Sequence, residues 1–345
     1  MKRKPTLPIA LSKRRLCAGA VLAASVLTFP LLANAMRELP DCGTPSNAPD
    51  DISLRLSLKD GQVVFREGEI IALTAKYQAL KKKKYTLDNR SYDRSGRLDG
   101  MEVFCLDPES GSDPLSDYYS QPIAFFGGGL FSDADPGEKP FDVQIELNEW
   151  QSLPPGDYRL SINGNRVTVR NNEDSMGFGG AQVSLRSNTV AFRIIGAEPV
   201  WQAAQLASAV AILDSAASKQ EDKNHAARIL RFLGSEDSTR ELARRYISSD
   251  KPFGWDFKFG LFGSPHRAIA IQAMHEAITN PDHPITTEFV ETLAALELQS
   301  DPGLRGKFKQ ATWITTNDAY EAELSKREAG YLAEAGANGH AIPNP

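Results

Sequence analysis

The sequence has 345 residues, with 39 basic and 44 acidic side chains and a formal net charge of −5 at pH 7. Six of the basic residues and none of the acidic ones lie in residues 1–35, which leaves 33 basic and 44 acidic residues and a charge of −11 for residues 36–345. A chain of this charge repels phosphate backbones, which argues against nucleic acid as a partner.

Residues 1–35 have the composition of a secretory signal peptide. A basic start is followed by an apolar run from Leu16 to Leu32 and by the small residues Ala33 and Ala35. This order predicts cleavage after Ala35 and a periplasmic or secreted location for the remaining chain. The apolar run is short for a bilayer span and is interrupted by glycine and proline, so an uncleaved anchor is the less favoured interpretation. We therefore do not expect an integral membrane protein.

Two cysteines, Cys42 and Cys105, remain after removal of the predicted signal peptide, which holds Cys17. In an oxidising compartment they predict one disulfide bond, which would stabilise the fold by roughly 4 kcal/mol in the chain-entropy model. The alternative is a free Cys105 buried in a strand, with Cys42 in a flexible N-terminal segment formed by residues 36–49.

Residues 50–198 show the two-residue hydrophobic period of β-strands. Leu54, Leu56 and Leu58, for example, alternate with polar residues. Several short segments of this kind are separated by turn-forming residues, including an expected turn at Asn163-Gly164-Asn165. Because no helical crossover separates them, the pattern predicts an antiparallel, immunoglobulin-like β-sandwich.

Residues 107–137 and 171–182 lack a regular pattern within this predicted domain. The first segment contains Phe125, Phe126 and Phe131 beside three consecutive glycines. Aromatic side chains next to glycines can present an adaptable apolar surface, which makes these phenylalanines a candidate binding loop. The alternative is that they fold back over the open edge of the sandwich, since exposed phenylalanines are costly in water.

Four consecutive lysines occupy positions 81–84 and form the one basic run after residue 35. Such a run is typical of a solvated loop or of a charged strand edge that discourages pairing with another sheet. A patch for an anionic ligand is the alternative interpretation.

After Trp201 the apolar residues recur with a helical period, which predicts a helical domain over residues 199–335. Gly234 suits a helix C-terminus and Ser235 the N-cap of the next helix, while Ser264-Pro265 predicts a further helix start. Antiparallel helix pairs with short turns are typical of HEAT-type repeats.

The helical pattern weakens after residue 300. Residues 318–334 predict one more charged helix, and residues 336–345 predict a disordered tail. Two helix pairs are fewer than a solenoid needs, so we expect the helices to lean on the β-domain or the last helix to cap them.

The sequence contains none of the common catalytic or metal-binding motifs that we considered. No His-Glu-x-x-His pair, Gly-x-Ser-x-Gly elbow or phosphate-binding glycine loop occurs. Residues 133–138 resemble the start of a calcium loop, but Gln144 stands where such a loop has glutamate. We therefore predict no catalytic residues, no cofactor, no metal and no enzymatic activity. Paired carboxylates, such as Glu146 with Glu149, leave a carboxylate-dependent hydrolase as an alternative.

Short motifs run through both predicted domains. They are Phe65-x-x-Gly68-Glu69-x-Ile71, Ser91 to Leu98, Leu147-Asn148-Glu149-Trp150, Pro155 to Leu160, Ser187-Asn188-x-Val190, Arg231-Phe232-Leu233-Gly234 and Gly260 to Arg267. Over roughly residues 50–298 the chain resembles a group of exported bacterial proteins, familiar from acidobacterial genomes, with an immunoglobulin-like β-domain followed by HEAT-like helices. The resemblance implies this architecture and export, and it implies no particular reaction.

From these observations we expect an exported, non-enzymatic binding or scaffolding protein of the cell envelope with a protein or peptide partner. The first alternative is an extracytoplasmic peptidase inhibitor or regulator that presents residues 107–137 to a protease. The second is an unrecognised carboxylate-dependent hydrolase.

Overall fold

The computed structural model describes residues 48–90, 97, 100–119, 133–170, 180–303 and 317–341. Strands precede helices in this part of the chain, which confirms the predicted order of β and then α. The predicted signal peptide, Cys42 and the phenylalanines Phe125, Phe126 and Phe131 lie outside the described residues. Cys105 is buried on a strand, and its pairing with Cys42 stays a prediction.

The strands form two sheets. They are β1 (Ile52–Leu58), β2 (Val64–Arg66), β3 (Ala72–Ala79), β4 (Tyr85–Asp88), β5 (Glu102–Asp107), β6 (Asp133–Ala134), β7 (Phe141–Glu146), β8 (Gly156–Val169), β9 (Gln182–Arg186) and β10 (Val190–Ile195). β1, β3 and β7 form one sheet, and the other strands form a second in which β2 lies at an edge. The named strands pair antiparallel except β2 and β10, which run parallel with Phe65 opposite Ile194. The predicted antiparallel fold thus contains one parallel pair.

Strand β8 continues through Asn163-Gly164-Asn165, where the sequence predicts a turn, so that prediction is wrong. Glycine is needed here because Tyr77 approaches the backbone closely: a Cβ atom at Gly164 would lie 2.3 Å from the Tyr77 hydroxyl oxygen. The pairing of β8 with β9 also shifts in register between Gly164 and Val167. Contacts from other strands therefore decide the local structure here.

The helices follow in an order in which near neighbours pack together. They are α1 (Ser116–Tyr119), α2 (Pro199–Asp214), α3 (Gln220–Phe232), α4 (Glu236–Arg245), α5 (Gly254–Gly263), α6 (Arg267–Thr279), α7 (Thr287–Ser300) and α8 (Asn317–Ala337). α2 contacts α3, α3 contacts α5, α4 contacts α6, and α7 contacts both α6 and α8. Among the described residues, no helix combines the length and apolar character needed to cross a membrane.

The end of α3 and the start of α4 agree with the sequence prediction. Gly234 has a φ of 64°, and Ser235 caps α4 by accepting a hydrogen bond from the Ser238 amide at 3.1 Å. Helix α6, in contrast, begins at Arg267 rather than directly after Ser264, so that predicted start is wrong. The Ser264 hydroxyl instead accepts a 3.0 Å hydrogen bond from the His266 amide, in a turn before the helix, and bonds the buried Thr239 hydroxyl at 2.7 Å.

Helix α5 is not predicted by the sequence, since its glycines and aromatic residues have low helix propensity. Tertiary contacts favour it instead, because most of its side chains are buried. Gly260 marks one such contact, where an added Cβ atom would lie 2.7 Å from a Leu242 methyl carbon.

Two hydrophobic cores lie within one compact unit. The first is shared by both sheets and includes Leu56, Leu73 and Leu160. The second lies among the helices and also takes in Leu115 and Tyr118, which belong to the segment predicted as an irregular loop. The helices therefore bury side chains supplied by the β-rich part of the chain.

The predicted tail is wrong for residues 336–341. Helix α8 extends to Ala337, and the His340 Nε2 atom lies 2.7 Å from the Ile278 carbonyl oxygen. The same carbonyl accepts a 3.3 Å hydrogen bond from the side-chain amide of Asn338. These contacts tie the end of α8 to helix α6.

The lysine run forms a turn tied to two aspartates. Lys84 lies 2.7 Å from the Asp51 carboxylate, and hydrogen bonds from Lys84 and Tyr85 lower the pKa of Asp51 to about 2. The Lys83 amide donates to the Asp135 carboxylate at 2.7 Å, as does the Gly137 amide at 2.9 Å. Asp135 of the calcium-like segment is thus a loop anchor. Within the described part of the chain, no group of three or more His, Cys, Asp and Glu residues could hold a metal ion.

Candidate functional site

A cleft of about 390 Å³ opens where the sheets meet the helices, and we call it the junction cleft. Four of the sequence motifs contribute to its walls, through Gly68, Asn148, Arg231 and His266 among others. The candidate binding loop predicted from the sequence lies outside the described residues and contributes nothing to this description. The sequence does not predict this cleft, although the motifs that line it are visible there.

Gly68 and Leu233 both line the junction cleft, and their backbones are in close contact there. Gly68 has a φ of 84°, and a Cβ atom there would lie 2.6 Å from the Leu233 carbonyl oxygen. Only glycine satisfies both the left-handed backbone and the close approach. A second cleft of about 270 Å³ shares these two residues and is lined on its far side by Trp201 and His225.

The side-chain amide of Asn148 holds the turn between β2 and β3 in place. Its oxygen accepts from the Ile71 amide at 2.7 Å, and its nitrogen donates to the Glu69 carbonyl at 3.0 Å. Asn188, in another motif, bonds both backbone groups of Leu56 in the same way, at 2.9 and 3.0 Å. Each side-chain amide satisfies one backbone donor and one backbone acceptor. These motif residues therefore have a structural role.

Side chains also occupy the edge of strand β2 that faces away from β10. The Gln62 side-chain amide donates to the Val64 carbonyl at 3.0 Å. The Arg66 backbone amide donates to the Glu69 carboxylate at 2.8 Å. Gln62 and Glu69 bond each other at 2.7 Å. An edge occupied in this way resists the addition of a further strand.

A buried charge cluster joins the sheets to helix α3 beside the cleft. The Glu149 carboxylate accepts two hydrogen bonds from Arg231, one of them at 2.9 Å, and both side chains are almost fully buried. Arg228 bonds both Glu149 and Glu146. Burial raises the pKa of Glu149 to about 7, although Arg231 and Arg228 oppose this shift. The carboxylate pair proposed as an acid and a base is thus held by arginines.

A second connection runs through the segment that contains α1. The Arg97 guanidinium bonds both Asp113 carboxylate oxygens, at 2.7 and 2.8 Å, and the Glu149 carbonyl at 2.9 Å. Arg267 bonds Asp117 at 2.8 Å. The Tyr118 ring packs on rings of helix α5 at centroid distances of 5.0 and 5.2 Å. Residues 113–119 therefore fasten the β-rich part to the helices.

The two arginines in the wall of the junction cleft differ in their partners. The charge of Arg231 is matched by Glu149, with Asp256 3.5 Å away. Arg66 forms no ion pair in the described part of the chain, and its guanidinium carbon lies 5.5 Å from the centre of the Trp201 ring. Arg66 is thus a cation of the cleft wall whose guanidinium no described carboxylate pairs with, although Glu67 and Glu69 line the same cleft.

Comparison with known proteins gives no family. No protein-family model matches the chain, and no curated protein matches it. Among solved structures, the native conformation of E. coli alpha-2-macroglobulin, determined by cryo-EM, aligns with 84% of this chain at 9% identity and a TM-score of 0.22. The alignment covers 22% of that protein, so the chain spans about a fifth of its length. A similarity at this TM-score carries no inference about fold or function.

Proposed function

We propose that this protein is an exported, non-enzymatic binding or scaffolding module of the cell envelope, and that the junction cleft is its ligand site. The observation that carries the proposal is the cleft itself, which is open and is walled by both parts of the chain. Its walls are held by the buried Glu149–Arg231 pair and the Gly68–Leu233 contact, which favours a concave surface formed before ligand arrives.

Binding is favoured over hydrolysis because two carboxylates, Glu69 in the cleft wall and Glu149 beside the cleft, are engaged in structural bonds. Glu69 bonds Gln62 and the Arg66 amide, and Glu149 bonds Arg231 and Arg228. A carboxylate that is occupied in this way is poorly placed to exchange a proton with a substrate. Export rests on the signal-like composition of residues 1–35.

The proposed architecture is an immunoglobulin-like sandwich followed by HEAT-like helices. Support for the first part comes from Tyr158, near the start of β8, whose hydroxyl donates to the Pro154 carbonyl at 2.7 Å, as in a tyrosine corner. Support for the second part comes from contacts between alternate helices, α3 with α5 and α4 with α6, as stacked helix pairs make.

The proposal is tested by filling the cleft. The full chain, tagged at its C-terminus and expressed in its own host, is compared with Gln202→Trp, which enlarges a side chain in the cleft wall. Ala207→Trp places the same ring on the exposed face of the same helix, α2, and is the matched control. We expect an envelope protein to co-purify with the full chain and the control and to be lost with Gln202→Trp.

Four other results, three from this experiment and one from an activity assay, are informative. Equal recovery of that protein by all three chains would contradict the assignment of the cleft, and no enrichment over an untagged strain would contradict the binding function. Recovery of a peptidase whose activity falls on binding would favour the inhibitor alternative. Turnover of a substrate by the purified chain would contradict a non-enzymatic role.

A further inference from the structure

Arg66 is half-buried, and its guanidinium lacks an ion-pair partner among the described residues. Its Nε atom is buried and makes no hydrogen bond, and within the described residues no carboxylate pairs with its guanidinium. The centre of the Trp201 ring, which lines the second cleft, lies 5.5 Å from the Arg66 guanidinium carbon, so the two make a cation–π contact. A buried donor without an acceptor costs free energy, which an acceptor supplied by a ligand would recover.

Three exposed apolar side chains neighbour Arg66 or Trp201, two of them in the sheet and one in the chain. Val64 lies two residues from Arg66 on the same face of β2, and Ile195 lies opposite Arg66 on β10. Val200 precedes Trp201 in the chain. These three side chains, which we call the apolar patch, are 48%, 36% and 81% exposed for Val64, Ile195 and Val200. Neighbouring exposed apolar side chains are typical of interaction sites, and Val64 and Ile195 both neighbour Arg66 on one face of the sheet.

The backbone of β2 contributes little to recognition. Gln62 and Glu69 already occupy its outward-facing Val64 carbonyl and Arg66 amide, as described above. A ligand therefore contacts the side chains of Arg66 and of the apolar patch rather than adding a strand to the sheet.

We propose that the junction cleft and the apolar patch bind an extended peptide segment in which an aspartate or glutamate is flanked by apolar side chains. The carboxylate pairs with the Arg66 guanidinium, whose planar donors match two carboxylate oxygens. The neighbouring apolar side chains cover Val64, Ile195 and Val200. This inference rests on the proposed function and names the ligand class of the same site.

The test uses a random peptide library selected on the full chain, on Arg66→Gln and on Arg55→Gln. Arg55 is exposed on β1 and makes no ion pair in the described part of the chain, so its replacement removes an equal charge elsewhere. We expect the full chain and Arg55→Gln to select peptides with an acidic residue between apolar ones. Arg66→Gln should bind the selected peptide at least about tenfold more weakly by fluorescence polarisation.

A double-mutant cycle then tests the contact itself. Replacing the acidic residue of the peptide by its amide should weaken binding to the full chain by a similar factor and should cost nothing further in Arg66→Gln. Equal losses in both chains would overturn the carboxylate contact. Thermal unfolding checks that both variants are folded. We expect both to be, because neither side chain has an ion-pair partner among the described residues.

Two results separate this inference from the proposed function. Peptides without acidic residues, whose binding is abolished by Gln202→Trp and unchanged by Arg66→Gln, would overturn the ligand class and leave the cleft as the binding site. Selection of no peptide by the full chain would overturn the inference, while the co-purification experiment would still decide the proposed function.

Discussion

Glu149 and Arg231 form a buried ion pair across the junction of sheets and helices, although 82 residues separate them in the chain. Glu149 ends the short turn after β7, and Arg231 lies in the last turn of α3. Because both side chains are almost fully buried, each depends on the other for its hydrogen bonds. This pair and the cleft beside it place the structural and the proposed functional features of the protein in one region.

Replacement of Arg231 by methionine should destabilise the protein by about 3–5 kcal/mol, because it leaves a buried carboxylate with fewer partners. The double replacement Glu149→Leu with Arg231→Met should cost less than either single change. Urea unfolding measures both. The exposed pair Arg193–Asp157 is the control, and its removal should cost less than about 1 kcal/mol. A similar loss at both pairs would contradict the importance of burial.

Gly68→Ala should destabilise the protein by more than Gly61→Ala does. Both glycines have positive φ, 84° and 70°, so alanine strains the backbone at each by about 1 kcal/mol. Only at Gly68 would the new Cβ atom also collide with Leu233, whereas nothing lies within 4 Å at Gly61. The difference in the free energy of unfolding therefore reports the junction contact, and equal effects would argue against it.

Asn148→Ala should cost about 1–3 kcal/mol, because it leaves the Ile71 amide and the Glu69 carbonyl without their partner. Asn148→Asp keeps the acceptor for Ile71 but places a charged acceptor against the Glu69 carbonyl, so it should also destabilise the protein. Thermal unfolding and hydrogen exchange of the β2–β3 turn measure the two variants. An alanine variant as stable as the parent chain would show that water replaces the amide.

Docking of helix α8 should weaken in acid. Burial disfavours the charged form of Glu297, but hydrogen bonds from His275, Tyr331 and Arg327 outweigh it and lower its pKa to about 2. Since this pKa lies below the ordinary value of 4.5, the stabilisation is complete above pH 4.5 and is lost as the pH falls toward 2. Hydrogen exchange of residues 317–341 should show this loss, and Glu297→Gln should remove it.

The same helix should also loosen at higher pH. The hydrogen bond to Glu297, 2.8 Å long, raises the pKa of His275 above its ordinary 6.5, and the His275 ring packs on the Tyr331 ring of α8 at a centroid distance of 5.2 Å. Its contribution is therefore complete below pH 6.5 and is lost as the pH rises through the folded-state value. His275→Asn should make exchange in α8 independent of pH in this range, and it should weaken the acid limb, because His275 is one of the groups that lower the pKa of Glu297. An unchanged profile would show that His275 does not hold the helix.

Local patterns in the sequence determined the order of strands and then helices, the buried face of β1 at Leu54, Leu56 and Leu58, and the boundary at Gly234 and Ser235. Each depends on residues a few positions apart, whose hydrophobic period or capping chemistry is visible in the chain. Local patterns do not predict the structure where contacts between residues far apart in the chain dominate. Helix α5 forms against low propensity because it is buried, and Gly164 lies within a strand because Tyr77 approaches it.

Tertiary structure alone decided the candidate site. The motif around Gly68 and the motif around Arg231 are both visible in the sequence, yet nothing local states that they meet. Their meeting depends on the packing of helix α3 against the sheet, which removes Glu149 and Arg231 from water and leaves Arg66 beside Trp201. Sequence determines which groups can bond locally, and packing decides which of them are buried, paired or left for a ligand.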